Sequence, residues 1–127
     1  MNTVKEITKT VLIVEDSRSM LKILKDILTQ EKFNVIAEAE YGGDAIEKYK
    51  QYNPDLVSID IVLSDMTGIE VLKKILEINK DAKAIICSSL GYDTLVEEAL
   101  KIGAKAYVKK PFRPLEVILA ANKALGI

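Results

Sequence analysis

The feature that most constrains this chain is an alternation between two kinds of segment. Short, nearly continuous apolar runs recur along it: Val11-Leu12-Ile13-Val14, Val35-Ile36-Ala37, Leu56-Val57-Ser58-Ile59, Ala84-Ile85-Ile86-Cys87 and Ala106-Tyr107-Val108. Runs of that length with no polar alternation suit strands buried on both faces, which is how parallel sheets read. Between the runs, apolar residues fall at helical spacing: Met20, Ile23, Leu24, Ile27 and Leu28, then Ala45, Ile46 and Tyr49, then Ile69, Leu72, Ile75 and Leu76. Leu95, Ala99, Leu100 and Ile102 make a fourth stripe, and Leu115, Ile118, Leu119 and Leu125 a fifth. Local signals agree with these spans. Asp16 or Ser17 can cap the first helix, Gly42-Gly43 breaks the chain before the second, and Asn53-Pro54 ends it. Gly68 precedes the third helix, Gly103 closes the fourth and Pro114 opens the fifth. A strand–helix unit repeated five times predicts an α/β fold, a doubly wound parallel sheet with helices on both faces and right-handed crossovers. With no linker or composition shift, residues 1–127 read as a single domain.

Composition narrows the function classes. The 18 basic and 19 acidic residues leave a net charge of −1, which gives no pull toward nucleic acid or an anionic membrane. No apolar run approaches the ~18 residues of a membrane span. The polar opening MNTVKEITKT has no apolar signal-peptide region, and the single cysteine, Cys87, suits a reducing compartment, so a cytoplasmic location is expected. With no histidine, the chain has no phosphohistidine, His-based triad or His-ligated metal of its own.

Ligands of open α/β sheets bind beyond the carboxyl ends of the strands. Here those ends carry an unusual set. The first run stops at Glu15-Asp16, the third at Asp60, the fourth at Ser88-Ser89 and the fifth at Lys109-Lys110. Carboxylates converging in one cleft repel by an amount on the order of 332/(εr) kcal/mol per pair. A hard divalent cation resolves that repulsion, and Mg²⁺ fits best because it takes one or two carboxylates, keeps waters and accepts a phosphate oxygen. Lys110 adds a fixed positive charge. A carboxylate is a competent nucleophile toward phosphorus, and phosphoryl transfer depends mainly on positioning and charge neutralisation. The expected product is an aspartyl phosphate.

Taken together, the segment VLIVED, Asp60 after its β-branched run, Ser88-Ser89, and Tyr107-Val108-Lys109-Lys110-Pro111-Phe112 resemble the receiver domain of the two-component response regulators. Within that family the chain is most similar to the stand-alone chemotaxis regulators, over about residues 10–125. The resemblance implies a sheet order of 2-1-3-4-5, as in the flavodoxin-like folds. It implies that Asp60 is the phosphoacceptor and a ligand of Mg²⁺. Asp16 would bind the metal directly, Glu15 directly or through water, and the carbonyl of Val62 would be a further ligand. Ser88 would be the switch hydroxyl, Tyr107 the aromatic switch residue, and Lys110 the lysine that tracks the phosphate, with Pro111 following a cis peptide. Backbone N–H groups of Ile61 and Ser89 would face the phosphate. The donor would be a sensor histidine kinase. Output would pass through the face of helix 4, strand 5 and helix 5 to a protein target such as a flagellar motor protein, with no membrane or nucleic acid contact. A monomer is expected, able to pair on phosphorylation. Two departures stand out. Leu63-Ser64 replaces a frequent Met-Pro, and Thr67 replaces a frequent Asp or Asn, so the rigidity of that loop and the phosphate lifetime are open.

Plainer readings exist for each part. Glu15-Asp16 can end a strand and cap a helix, Ser88-Ser89 can be turn residues, Lys110 can be solvated and Tyr107 can be packing. Other receiver pathways remain open: a phosphorelay intermediate, or a domain cut from a transcriptional regulator. A haloacid-dehalogenase-like phosphatase would want an acid two residues after its nucleophile, where this chain has Val62. A flavodoxin-like carrier would want a glycine- and hydroxyl-rich loop where Glu15-Asp16 stands. The chain therefore reads as a phosphoacceptor signalling protein and not as an enzyme of turnover.

Overall fold

A computed structural model describes residues 8–91 and 93–127; most of the polar lead-in therefore lies outside the described residues. The elements alternate without exception: β1 (Thr10–Val14), α1 (Arg18–Gln30), β2 (Asn34–Ala39), α2 (Gly42–Tyr52), β3 (Leu56–Asp60), α3 (Gly68–Ile78), β4 (Ala84–Ser88), α4 (Thr94–Ile102), β5 (Ala106–Lys109) and α5 (Pro114–Leu125). The five strands are all parallel, in the order β2-β1-β3-β4-β5. This is the expected sheet.

The continuous apolar runs have a direct cause in this architecture. Successive strand residues point to opposite faces, and both faces are covered. Leu12, Val14, Val57, Ile59, Ala84 and Ile86 join a core beneath α2, α3 and α4. Val11, Ile13, Leu56, Ile85 and Cys87 join a second core beneath α1 and α5. β3 and β4 thus bury every residue, and burying one such aliphatic side chain contributes about 1.5–3 kcal/mol.

Helix ends follow the local chemistry. The Ser17 hydroxyl caps α1 by accepting from the Met20 N–H at 3.3 Å. Thr67 does the same for α3 through Glu70 N–H at 3.2 Å. Asn53 ends α2 in the left-handed region, and Gly103 ends α4 at φ +147°.

Three expectations are corrected. Gly42 and Gly43 do not interrupt the chain; they are the first two helical residues of α2. Gly42 is there because a Cβ would lie 2.4 Å from Met66 Cγ and 2.8 Å from Val71 Cγ2. Ile23 faces solvent, while Leu24, Ile27 and Leu28 form the buried stripe of α1. In α5 the buried residues are Val117, Ala120, Ala121 and Ala124, whereas Leu115 and Leu119 are 70% and 58% exposed. Small alanines let α5 approach the sheet closely, and Leu115 and Leu119 are turned outward.

Cys87 is enclosed in the second core, with its Sγ 3.3 Å from the Ser58 hydroxyl. Burial pushes its thiol up to about 12, against the pull of the Ser58 hydrogen bond and the Lys110 charge. The raised value means that this group favours the fold below about pH 9, and that the contribution is lost as pH climbs toward 12. Because the thiolate is the reactive form, iodoacetamide at pH 8 is expected to modify the native protein roughly 10³-fold more slowly than the denatured chain. Equal rates in buffer and in denaturant, read by mass spectrometry, would contradict that enclosure.

Candidate functional site

The carboxyl edge of the sheet gathers the acidic residues. Glu15 follows β1 and is held there by its backbone N–H, which donates to Ala39 O at 2.9 Å. Asp60 is the last residue of β3, and Lys110 follows β5. The Lys110 ammonium lies 2.6 Å from Glu15 Oε1 and 2.9 Å from Asp60 Oδ2, and all three side chains are largely buried. The second Glu15 oxygen accepts from Ser17 N–H at 3.1 Å, and the second Asp60 oxygen from Val62 N–H at 3.2 Å. Asp16 stands at the mouth, where one of its oxygens accepts from the Ser64 hydroxyl at 3.4 Å.

Oxygens of Glu15, Asp16 and Asp60 all lie within 4.8 Å of one another. At an effective dielectric of about 20, two unit charges at that separation repel by ~3 kcal/mol. One lysine cannot cancel three carboxylates. Burial pushes Glu15 up to about 7, opposed by Lys110 and the Ser17 N–H and reinforced by Asp60. Burial pulls the Lys110 ammonium down, but the hydrogen bonds and charges of Glu15 and Asp60 outweigh it and hold Lys110 above its usual range. The site is short of positive charge, and its donors are all hard oxygens. That donor set suits a small divalent cation.

The loop between β3 and α3 is closed at its root. Ile61 O accepts from Gly68 N–H at 2.8 Å, and Val62 bridges Thr67 in antiparallel fashion. The closure requires glycine at 68, where a Cβ would sit 2.3 Å from Asp60 O and 2.7 Å from Ile61 Cα. The side chain of Val62 points away from the core and is 60% exposed.

Expected residues fall at this edge with one exception in detail. Ser88 is buried at the end of β4, and its hydroxyl oxygen accepts from Leu90 N–H at 3.1 Å. Its own hydroxyl proton is still available to donate. Ser89 is exposed beside it, and Leu90 is 69% exposed. Tyr107 lies half-buried in β5, and the Lys110–Pro111 bond is cis. The exception is Ile61. Its N–H was expected to face a phosphate, but it donates to Cys87 O at 3.0 Å, because β3 pairs with β4 beyond Asp60. The backbone donor at the Asp60 carboxylate is Val62 N–H.

Sequence reasoning missed Asp65. Its two carboxylate oxygens accept from Gly42 N–H at 2.8 Å and Gly43 N–H at 3.1 Å, which caps α2 from another loop. Those two hydrogen bonds hold its carboxyl below the usual range. The available signal was a helix N-terminus with no capping side chain of its own, since Tyr41 makes no cap bond.

Comparison with known proteins agrees with this arrangement. The family model for the response regulator receiver domain matches residues 11–122. The chemotaxis protein CheY of Thermotoga maritima is 46% identical over 91% of this chain and 96% of its own length. The Bacillus subtilis CheY is 45% identical over 91% of this chain and 97% of its own. Among solved structures, the CheX–CheY–BeF3–Mg²⁺ complex of Borrelia burgdorferi holds a similar chain, with a TM-score of 0.86, 40% identity, and coverage of 90% of this chain and 87% of that one. Sheet order, strand-end acids and sequence thus converge on one conclusion: the chain belongs to the response regulator receiver domains.

Proposed function

We propose that this receiver is a chemotaxis-type signalling switch in which Asp60 accepts a phosphoryl group from the phosphohistidine of a sensor kinase. The single observation that carries the site assignment is the position of Asp60. It is a buried carboxylate at the centre of the edge, within reach of two further acids and gripped by Lys110. An oxygen of Asp60 attacks phosphorus, the P–N bond breaks, and its electron pair leaves on the imidazole of the donor. Bound Mg²⁺ would neutralise the phosphoryl oxygens, and Glu15, Asp16, Asp60 and the Val62 carbonyl would hold it. Lys110 exchanges an Asp60 oxygen for a phosphoryl oxygen. In this reading the Ser88 hydroxyl and the N–H groups of Val62 and Ser89 donate to the others.

The target surface in this reading is the face of α4, β5 and α5. The outward Leu115 and Leu119 support it, as does a groove of about 410 Å³ lined by Leu100, Ala106, Tyr107 and Leu119. The curated relatives are named for chemotaxis, which favours a flagellar motor protein as the listener over the other receiver outputs. A pull-down with the beryllofluoride-treated protein tests this: retention of a motor switch component supports it, and retention of a transcription-linked partner alone overturns it.

The residues bordering the mouth set the phosphate lifetime. Val62 and Leu90 both lie open to solvent, and neither side chain can orient or deprotonate an attacking water. The phosphorylated protein is expected to lose its label over minutes or longer without a phosphatase. A half-life of seconds in the pure protein, followed by acid-stable quenching and mass spectrometry, would contradict this. The same absence of an acid at Val62 argues against a phosphatase of the haloacid-dehalogenase type.

A further inference from the structure

We infer that Asp65 is a positioning residue for the metal site, acting by tying the β3–α3 loop to the N-terminus of α2; the inference rests on the phosphoacceptor reading above. The loop root is closed at Ile61 and Gly68 and Leu63 is buried in the first core, so the part of the tip still to be held is its polar outer stretch, Ser64 and Asp65. Position 64 is a serine, which leaves the backbone there unrestrained by its own side chain. Asp65 supplies the missing restraint. It binds two backbone N–H groups across a separation of more than twenty residues, using both oxygens. Beside it, Met66 packs on the bare Cα of Gly42, close enough that no side chain fits there. On the other side of the tip, Ser64 reaches Asp16.

Three neighbouring residues thus connect the tip to two different elements of the site's rim. The consequence reaches Val62. Its N–H is already fixed on Asp60 and its carbonyl belongs to the same short turn, so the orientation of that carbonyl depends on where the tip is moored. Freed from Asp65, the outer stretch of the tip shifts about its Leu63 anchor, the Ser64–Asp16 contact is lost and the turn that carries the Val62 carbonyl is loosened. Mg²⁺ tolerates such misplacement poorly, because it demands near-octahedral coordination. Asp65 itself touches no reacting atom.

A plain helix-capping role predicts something different, and one double variant separates the two. Asp65→Ala is expected to weaken Mg²⁺ binding, measured by calorimetric titration of the protein with MgCl₂, by about 3- to 10-fold, below the ~10- to 100-fold typical of a lost partner of a metal ligand because Asp65 touches no ligand itself. It is also expected to lower the melting temperature by uncapping α2. Tyr41→Ser places a capping hydroxyl at the extended N-cap position of α2, where no side chain caps now. In Tyr41→Ser/Asp65→Ala the melting temperature recovers while the Mg²⁺ affinity stays low. Asp65→Asn, which keeps one acceptor oxygen, falls between. Recovery of both quantities in the double variant, or an Asp65→Ala affinity equal to that of the parent, overturns the inference. If the parent protein itself binds no Mg²⁺ and takes no label from acetyl phosphate, it is the phosphoacceptor reading that fails.

Discussion

Asp60→Asn is expected to abolish phosphoryl incorporation from acetyl phosphate in the presence of Mg²⁺. In the parent protein the nucleophile is a carboxylate with a donor on each oxygen: Lys110 at 2.9 Å on Oδ2 and the Val62 N–H at 3.2 Å on Oδ1. The amide of asparagine keeps nearly the same shape but has no anionic lone pair to offer phosphorus. Folding is not expected to suffer. The substitution removes one of three mutually repelling carboxylates, each pair of which costs ~3 kcal/mol at an effective dielectric of about 20, while the amide oxygen can still accept from Lys110. The variant is therefore expected to be as stable as the parent or slightly more so in metal-free buffer, while labelling falls below detection by intact-mass measurement. Undiminished labelling would remove Asp60 from the mechanism, and peptide mapping would then locate the true acceptor.

Lys110→Met is expected to move three quantities, two down and one up. Its ammonium is the bridge between Glu15 and Asp60, and removing one partner from such a buried set typically costs ~3–5 kcal/mol. The loss depends on pH with a definite sign. Glu15 is raised to about 7 from an ordinary 4.5, so its contribution to stability is intact below about 4.5 and declines as pH rises through 7. Without Lys110 that decline becomes steeper, and the variant is expected to be weakest in metal-free buffer above neutrality. Mg²⁺ binding goes the other way. With the competing cation gone the affinity should tighten by roughly tenfold or more. Labelling by acetyl phosphate should nevertheless slow by roughly 10²-fold, because a fixed donor aimed at the developing phosphoryl charge has been lost. Tighter metal with slower chemistry is the diagnostic pair; weaker metal binding in the variant would mean that Lys110 has another role.

Much of this molecule was legible before its coordinates. The buried strands could be read because each is apolar on both faces, and the strand-end acids because the sheet type dictates where ligands sit. What escaped was of two kinds. The orientation of α5 could not be read from period alone, since the helix is apolar around most of its circumference: alanines on one side and leucines on the other each make a plausible inner face. Closeness of approach decided it, and that is a property of the packed pair. The Asp65–α2 tie and the diversion of Ile61 N–H to Cys87 were hidden for a different reason. Both are hydrogen bonds between residues more than twenty positions apart, and no local pattern announces them. The loop at Ser64 could be flagged as unusual, but not how it is moored.

The outward leucines of α5 carry a last implication. Leu115 and Leu119 contribute little to either core, while the alanines on the opposite side of the same helix hold it to the sheet. If α5 is part of the target face, as proposed, recognition and folding are written on separate sides of one element. Substitutions on the outer side can accumulate with little loss of stability, so a lineage can exchange one listener for another without rebuilding the domain. In this design the phosphoacceptor chemistry is confined to the strand ends, and the audience is free to change.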